Sequence, residues 1–100
     1  MNSKHYMNDR AAREELIKTI GYGKIIKTAI VDRGHKNGPE IHTISDTGII
    51  TVYNQITKKL VTRLIARPGQ IARYYQADEK IPQNLMRIAR EHQMMDYNNR

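Results

Sequence analysis

Histidine, arginine, lysine and tyrosine gather in the middle of this chain in a way that suits phosphate chemistry. Residues 47–77 contain no acidic side chain, while Lys58, Lys59, Arg63, Arg67 and Arg73 are basic, and Tyr74 and Tyr75 follow directly. His42 lies just upstream. A guanidinium presents a rigid donor fork that grips phosphate oxygens and can stabilise charge building on a phosphorane. An imidazole can act as general base in RNA transesterification. A tyrosine can stack on a base or give up its hydroxyl proton.

A strand must present these groups if they are to act together. Arg63 and Arg67 share strand parity with Val61 and Ile65, opposite to Leu60, Thr62, Leu64 and Ala66. Helices covering the Leu60 and Leu64 face would leave both arginines projecting from an open one. The plainer alternative is a solubilising face with no ligand. Tyr74 and Tyr75 point about 100° apart on a helix, so one packs in the core and the other reaches the surface. His42 has its own plain alternative, a half-buried, hydrogen-bonded strand residue.

The flanking pattern supplies the elements. Ser3 is the expected cap of a helix over 3–20, with Leu16, Ile17 and Ile20 on its apolar face. Arg10, Arg13, Glu14 and Glu15 form the wet face, and Gly21 and Gly23 stop the helix. Residues 24–31 are β-branched and few, which predicts a strand. A polar loop over 32–39, holding His35, leads to strands over 40–45, 48–54 and 59–66. Hairpin turns join these at Asp46-Thr47-Gly48 and at 55–58. Pro68 opens a helix over 68–76, and Pro82 opens a last one in which Leu85, Met86, Ala89 and His92 repeat at helical spacing. The class is α+β: an N-terminal helix, a four-stranded mainly antiparallel sheet (a meander) and two C-terminal helices, with the helices packed on one sheet face. One domain spans 1–95, and a flexible tail is expected over 96–100.

Composition bounds the chemistry. One hundred residues with 39% hydrophobic content close one modest core, which must be aliphatic because all six aromatics are tyrosine. No run approaches the roughly 18 apolar residues of a membrane span. Residues 1–10 are polar and charged, which predicts no secretory signal. The chain has no cysteine, so disulfides and thiolate chemistry are excluded and a reducing cytoplasm is expected. His5, His35, His42 and His92 lack metal-ligand spacing, so neither a metal nor a cofactor is expected. Gly21-Tyr22-Gly23 precedes a strand and lacks the third glycine of a dinucleotide turn. Carboxylates are few and scattered, against two-metal phosphoryl transfer and glycoside hydrolysis. A net charge of +7 favours an anionic partner, either nucleic acid or an acidic protein. What remains is metal-free acid–base chemistry, or binding alone.

The order helix, strand, loop, meander, with Thr-Gly-Ile-Ile-Thr-Val-Tyr-Asn at 47–54 and Lys-Leu-Val-Thr-Arg-Leu-Ile-Ala-Arg at 59–67, resembles the fold shared by barnase, EndoU, colicin nuclease and RelE-type toxin domains. His5 with Arg10 shortly after is similar to the first helix of small RelE-like proteins of bacteria and their mobile elements. The likeness spans about residues 5–75. It implies a metal-independent ribonuclease architecture with His42, Arg63, Arg67 and Tyr75 as the working set. The expectation is therefore a cytoplasmic, RNA-acting endoribonuclease. Arg63 and Arg67 would bind phosphate, His42 or Tyr75 would move protons, and Arg73, Lys58 and Lys59 would steer the backbone. An acidic, antitoxin-like protein partner goes with that expectation. The alternative is a non-catalytic module, encoded by a phage or plasmid, that binds nucleic acid or an acidic protein.

Overall fold

The computed structural model describes residues 9–34 and 36–98, with backbone alone for 96–98. The elements run α1 (Arg10–Ile20), β1 (Ile25–Val31), β2 (Glu40–Ser45), β3 (Ile49–Asn54), β4 (Leu60–Ile65), α2 (Pro68–Ala72) and α3 (Gln83–Asn98). The four strands form one antiparallel meander in the order β1-β2-β3-β4. This is the expected α+β order, with most boundaries unchanged or moved by one residue.

Local chemistry accounts for the ends. Asp9, not Ser3, caps α1, its carboxylate accepting the Ala12 N–H at 3.1 Å; Ser3 lies outside the described residues. Gly21 closes α1 at φ 91°, donating its N–H to the Ile17 carbonyl. Ser45 Oγ accepts the Thr47 and Ile49 N–H groups at 3.3 and 3.1 Å, which tightens the β2–β3 turn. α2 starts on Pro68 and stops at Ala72, short of the expected 76. α3 stays helical to Asn98, through three of the positions expected in a tail; residues 99–100 lie outside the described residues.

Register decides the two faces of the sheet. Cross-strand partners share a face. His42, Val52 and Thr62 therefore lie on one face with Ile44, Ile50 and Leu64, while Thr43, Thr51 and Arg63 lie on the other with Ile49 and Ile65. On the first face Ile44, Ile50 and Val52 pack with Ala66, Ile71 of α2, and Leu85 and Ala89 of α3. On the second, Ile17 of α1 packs with Ile49 and Ile65. Helices thus cover both faces, where the sequence predicts one. The cause lies in the strands, since Ile49 and Ile65 are as apolar as Ile50 and Leu64 beside them. α1 meets them with Ile17, flanked by Leu16 and Ile20, one inward stripe of the helix. The helix also buries Arg13, expected on the wet face, to 8% exposure.

Candidate active site around His42 and Tyr74

Glu40 and His42 are two apart on β2, so they project from the same face, the one that α2 and α3 cover. His42 Nδ1 lies 2.6 Å from the Tyr74 hydroxyl, and His42 Nε2 lies 3.0 Å from Glu40 Oε1. A carboxylate oxygen accepts and cannot donate, so Nε2 carries the proton that points at Glu40. In the neutral ring Nδ1 is then an acceptor, and the Tyr74 O–H donates to it. The two rings are 5.5 Å apart and tilted by 47°. Tyr74 itself is anchored by its N–H to the carbonyl of Ile71, a fully buried residue of α2.

Burial pushes the Tyr74 hydroxyl above its ordinary value; the Arg33 and Arg73 charges pull it back and the Glu40 charge adds to the rise. The net effect keeps the phenol protonated near neutral pH. Tyr74 is thus a hydrogen-bond donor to His42, not a standing phenolate.

The cluster opens into a cavity of about 580 Å³ between the sheet and α2. Arg33, Glu40, Gln70 and Arg73 form its polar wall, and Val52, Val61 and Leu64 its apolar one. Arg33 sits in the turn after β1, where the Gly34 N–H donates to Asp32 Oδ1 at 3.0 Å. Arg73 closes α2. Among the described residues neither arginine makes an ion pair, and both are exposed. The β3–β4 hairpin that carries Lys58 and Lys59 is tied to the same end of the sheet. The Gln55 N–H donates to the Pro39 carbonyl at 2.9 Å, and Asn54 Nδ2 donates to the Asn37 carbonyl at 2.8 Å.

The residues expected to act together divide between the two faces. Arg63 is on the α1 side, away from His42. Its Cζ lies 4.8 Å from the centre of the Tyr22 ring, and Nη1 is 3.9 Å from Glu14 Oε1. The face expected to be open is covered there by α1. Arg67 is the N-cap of α2 instead of a strand residue, so strand parity no longer aligns it with Arg63. Tyr75 packs against the main core, with Lys27 Nζ 4.9 Å from its ring centre. Lys27 is itself held by Glu79 at 2.6 Å. Tyr74, not Tyr75, meets His42. Sequence reasoning missed Arg33 and Glu40 as site members and chose Tyr75 over Tyr74, although the parity of Glu40-Ile41-His42 signals the Glu40 contact. His5 and His35 lie outside the described residues. Among the described residues no three His, Cys, Asp or Glu side chains converge as metal ligands would, and no helix is long and apolar enough to cross a membrane.

No protein-family model, curated protein or solved structure matches the chain.

Proposed function

We propose that the chain binds RNA in the His42–Tyr74 cavity and cleaves it without a metal, as the RelE-like ribonucleases it resembles would. The observation that carries this reading is the line Glu40–His42–Tyr74, set between two arginines that have no carboxylate partner among the described residues. A ribose 2′-hydroxyl donates its proton to Tyr74 Oη as the Tyr74 proton passes to His42 Nδ1. The imidazolium so formed faces Glu40, the arrangement used by nucleophile–histidine–carboxylate triads. The 2′ oxygen then bonds to phosphorus and the bond to the 5′ oxygen breaks; that oxygen takes a proton from water, and the hydroxide left behind is neutralised by the imidazolium's proton, returned through Tyr74. Arg33 and Arg73 offset the charge that grows on the phosphoryl oxygens. The products are a 2′,3′-cyclic phosphate and a 5′-hydroxyl.

A cytoplasmic site of action goes with an RNA substrate, and the net charge of +7 suits an acidic, antitoxin-like partner as well. The test is incubation of purified protein with RNA in EDTA. Cyclic-phosphate ends are expected, and Tyr74→Phe should cut their rate by about a hundredfold or more, since positioned proton transfer contributes on that scale. A Tyr74→Phe protein that cleaves like the parent would rule the relay out.

One observation favours a non-catalytic binder, phage- or plasmid-encoded, instead. His42 is only 5% exposed and both its ring nitrogens are engaged. That reading predicts salt-dependent RNA binding with no product at any time.

A further inference from the structure

Resting on the RNA-site reading above, we infer that Glu79 is a positioning residue whose carboxylate, bridged between Lys27 and the Gln76 backbone, holds Tyr74 against His42 for proton transfer. Tyr74 needs such a hold because it lies two residues past the end of α2, in a turn. Backbone bonds tie that turn locally, the Tyr74 N–H donating to the Ile71 carbonyl at 3.0 Å and the Tyr75 N–H to the Ala72 carbonyl at 3.3 Å. His42, by contrast, is fixed on β2, inside the sheet. The 2.6 Å contact between Tyr74 and His42 therefore depends on what fastens the turn to the sheet.

Glu79 supplies that fastening with both oxygens. Oε1 accepts the Gln76 N–H at 2.8 Å, and Oε2 accepts from Lys27 Nζ at 2.6 Å. The Glu79 N–H returns a bond to the Gln76 carbonyl at 3.0 Å, which closes the turn. Lys27 stands on β1 opposite Ile44, so it projects from the same sheet face as His42. Its ammonium also lies 4.9 Å from the centre of the Tyr75 ring, and that ring packs on the main core. Tyr75 and Gln76, the two residues after Tyr74, are thus held by Lys27 and Glu79. The Lys27 hydrogen bond, with that from Gln76, keeps the Glu79 carboxyl below its ordinary value, so it is charged at neutral pH. An amide cannot replace it, because its one oxygen serves one donor and its NH2 group turns a donor toward the other. A surface pair adds little to stability. A misplacement of about 1 Å at reacting groups, however, can cost on the order of a hundredfold in rate.

The test compares the full-length parent with Glu79→Gln, Lys27→Met and Lys27→Arg. Glu91→Gln is the control, because Glu91 makes an exposed ion pair with Arg87 on α3. Thermal unfolding first checks that each variant is folded. One readout is kcat and KM for RNA cleavage in EDTA. The other needs no RNA: the nitrogen NMR resonance of His42 Nδ1, which moves when its hydrogen bond from Tyr74 is lost. Glu79→Gln and Lys27→Met are expected to lose at least about fivefold in kcat, with KM within about twofold, and to shift the Nδ1 resonance. Lys27→Arg, which keeps a charged donor, and Glu91→Gln should stay within about twofold of the parent. An Nδ1 resonance left unmoved by Glu79→Gln overturns the inference, whatever the rate does. A parent protein that leaves RNA intact overturns the RNA-site reading alone, and the His42 resonance still decides whether Glu79 positions Tyr74.

Discussion

The two faces of the sheet handle arginine in opposite ways. On the α1 face, Arg63 lies over Tyr22 and within 3.9 Å of Glu14, its charge answered from inside the fold. On the α2 face, Arg33 and Arg73 flank Tyr74 and make no ion pair among the described residues. The apolar packing differs in the same sense. The α2–α3 side holds the larger cluster, from Ile44 to Ala89, and the α1 side holds Ile17, Ile49 and Ile65. The lesson is that a basic residue on a strand says little until its cover is known. A charge answered within the fold serves structure, and one left open beside a recess is free for a ligand.

That contrast can be broken or sharpened by measurement. The largest expected effect is on the main core: Ile44→Ala, at a fully buried position, should cost about 2–5 kcal/mol of unfolding free energy. Ile17→Ala, set among fewer buried neighbours that can close over the gap, should cost less within that range. Chemical denaturation of both variants checks the order, and a larger loss for Ile17→Ala would mean that α1 is not the lesser layer.

Next in size is Glu40→Gln. An amide can donate to His42 Nε2 and so stabilise the wrong tautomer, leaving Nδ1 unable to accept from Tyr74. Cleavage in EDTA should fall by roughly ten- to a hundredfold in kcat with KM little changed. Equal losses in kcat and affinity would make Glu40 a binding group instead.

A smaller effect belongs to the helix layer. His92 lies over Gly48, whose added Cβ would come within 3.7 Å of Nδ1, and Nδ1 is buried with no hydrogen-bond partner among the described residues. Burial holds its ring below the ordinary value of 6.5, with Glu91 opposing. The unfolded chain therefore takes up the proton first. The stability this group contributes is present above pH 6.5 and is lost as pH falls through the folded value. Thermal unfolding should show a lower midpoint at pH 5 than at pH 7, and His92→Leu should flatten that slope. An unchanged slope in the variant would assign it to other groups.

These residues also show what could be read before the fold was seen. The order of elements was legible because Gly21, Gly48, Pro68 and the tripeptide Asp46-Thr47-Gly48 punctuate it, and because local period separates strands from helices. Parity also put Arg63 and His42 on strands correctly. It could not say that α1 crosses to the Arg63 face, because that depends on long-range packing of Ile17 with Ile49 and Ile65. The choice between Tyr74 and Tyr75 rested on where α2 ends and how it is rotated. α2 stops at Ala72, and the turn that follows aims Tyr74 at His42. Glu40 was the contact most open to sequence reasoning, since two-residue spacing on a strand already sets it beside His42.

The smallest effect should come from Arg63→Ala, in an ion pair that is loose and partly exposed. Such pairs contribute about 0–1 kcal/mol, and an exposed arginine–tyrosine contact about 0.5–1 kcal/mol. Denaturation should register a loss of about that size, and a loss of several kcal/mol would make Arg63 a keystone of the α1 face.

The central claim is tested most directly by one paired measurement, the rate of RNA cleavage in EDTA by Arg73→Ala and by Arg63→Ala. Arg73→Ala should lose at least about tenfold, and Arg63→Ala should match the parent once both are folded. The reverse order, with Arg63→Ala impaired and Arg73→Ala intact, would place the chemistry on the α1 face and contradict the account.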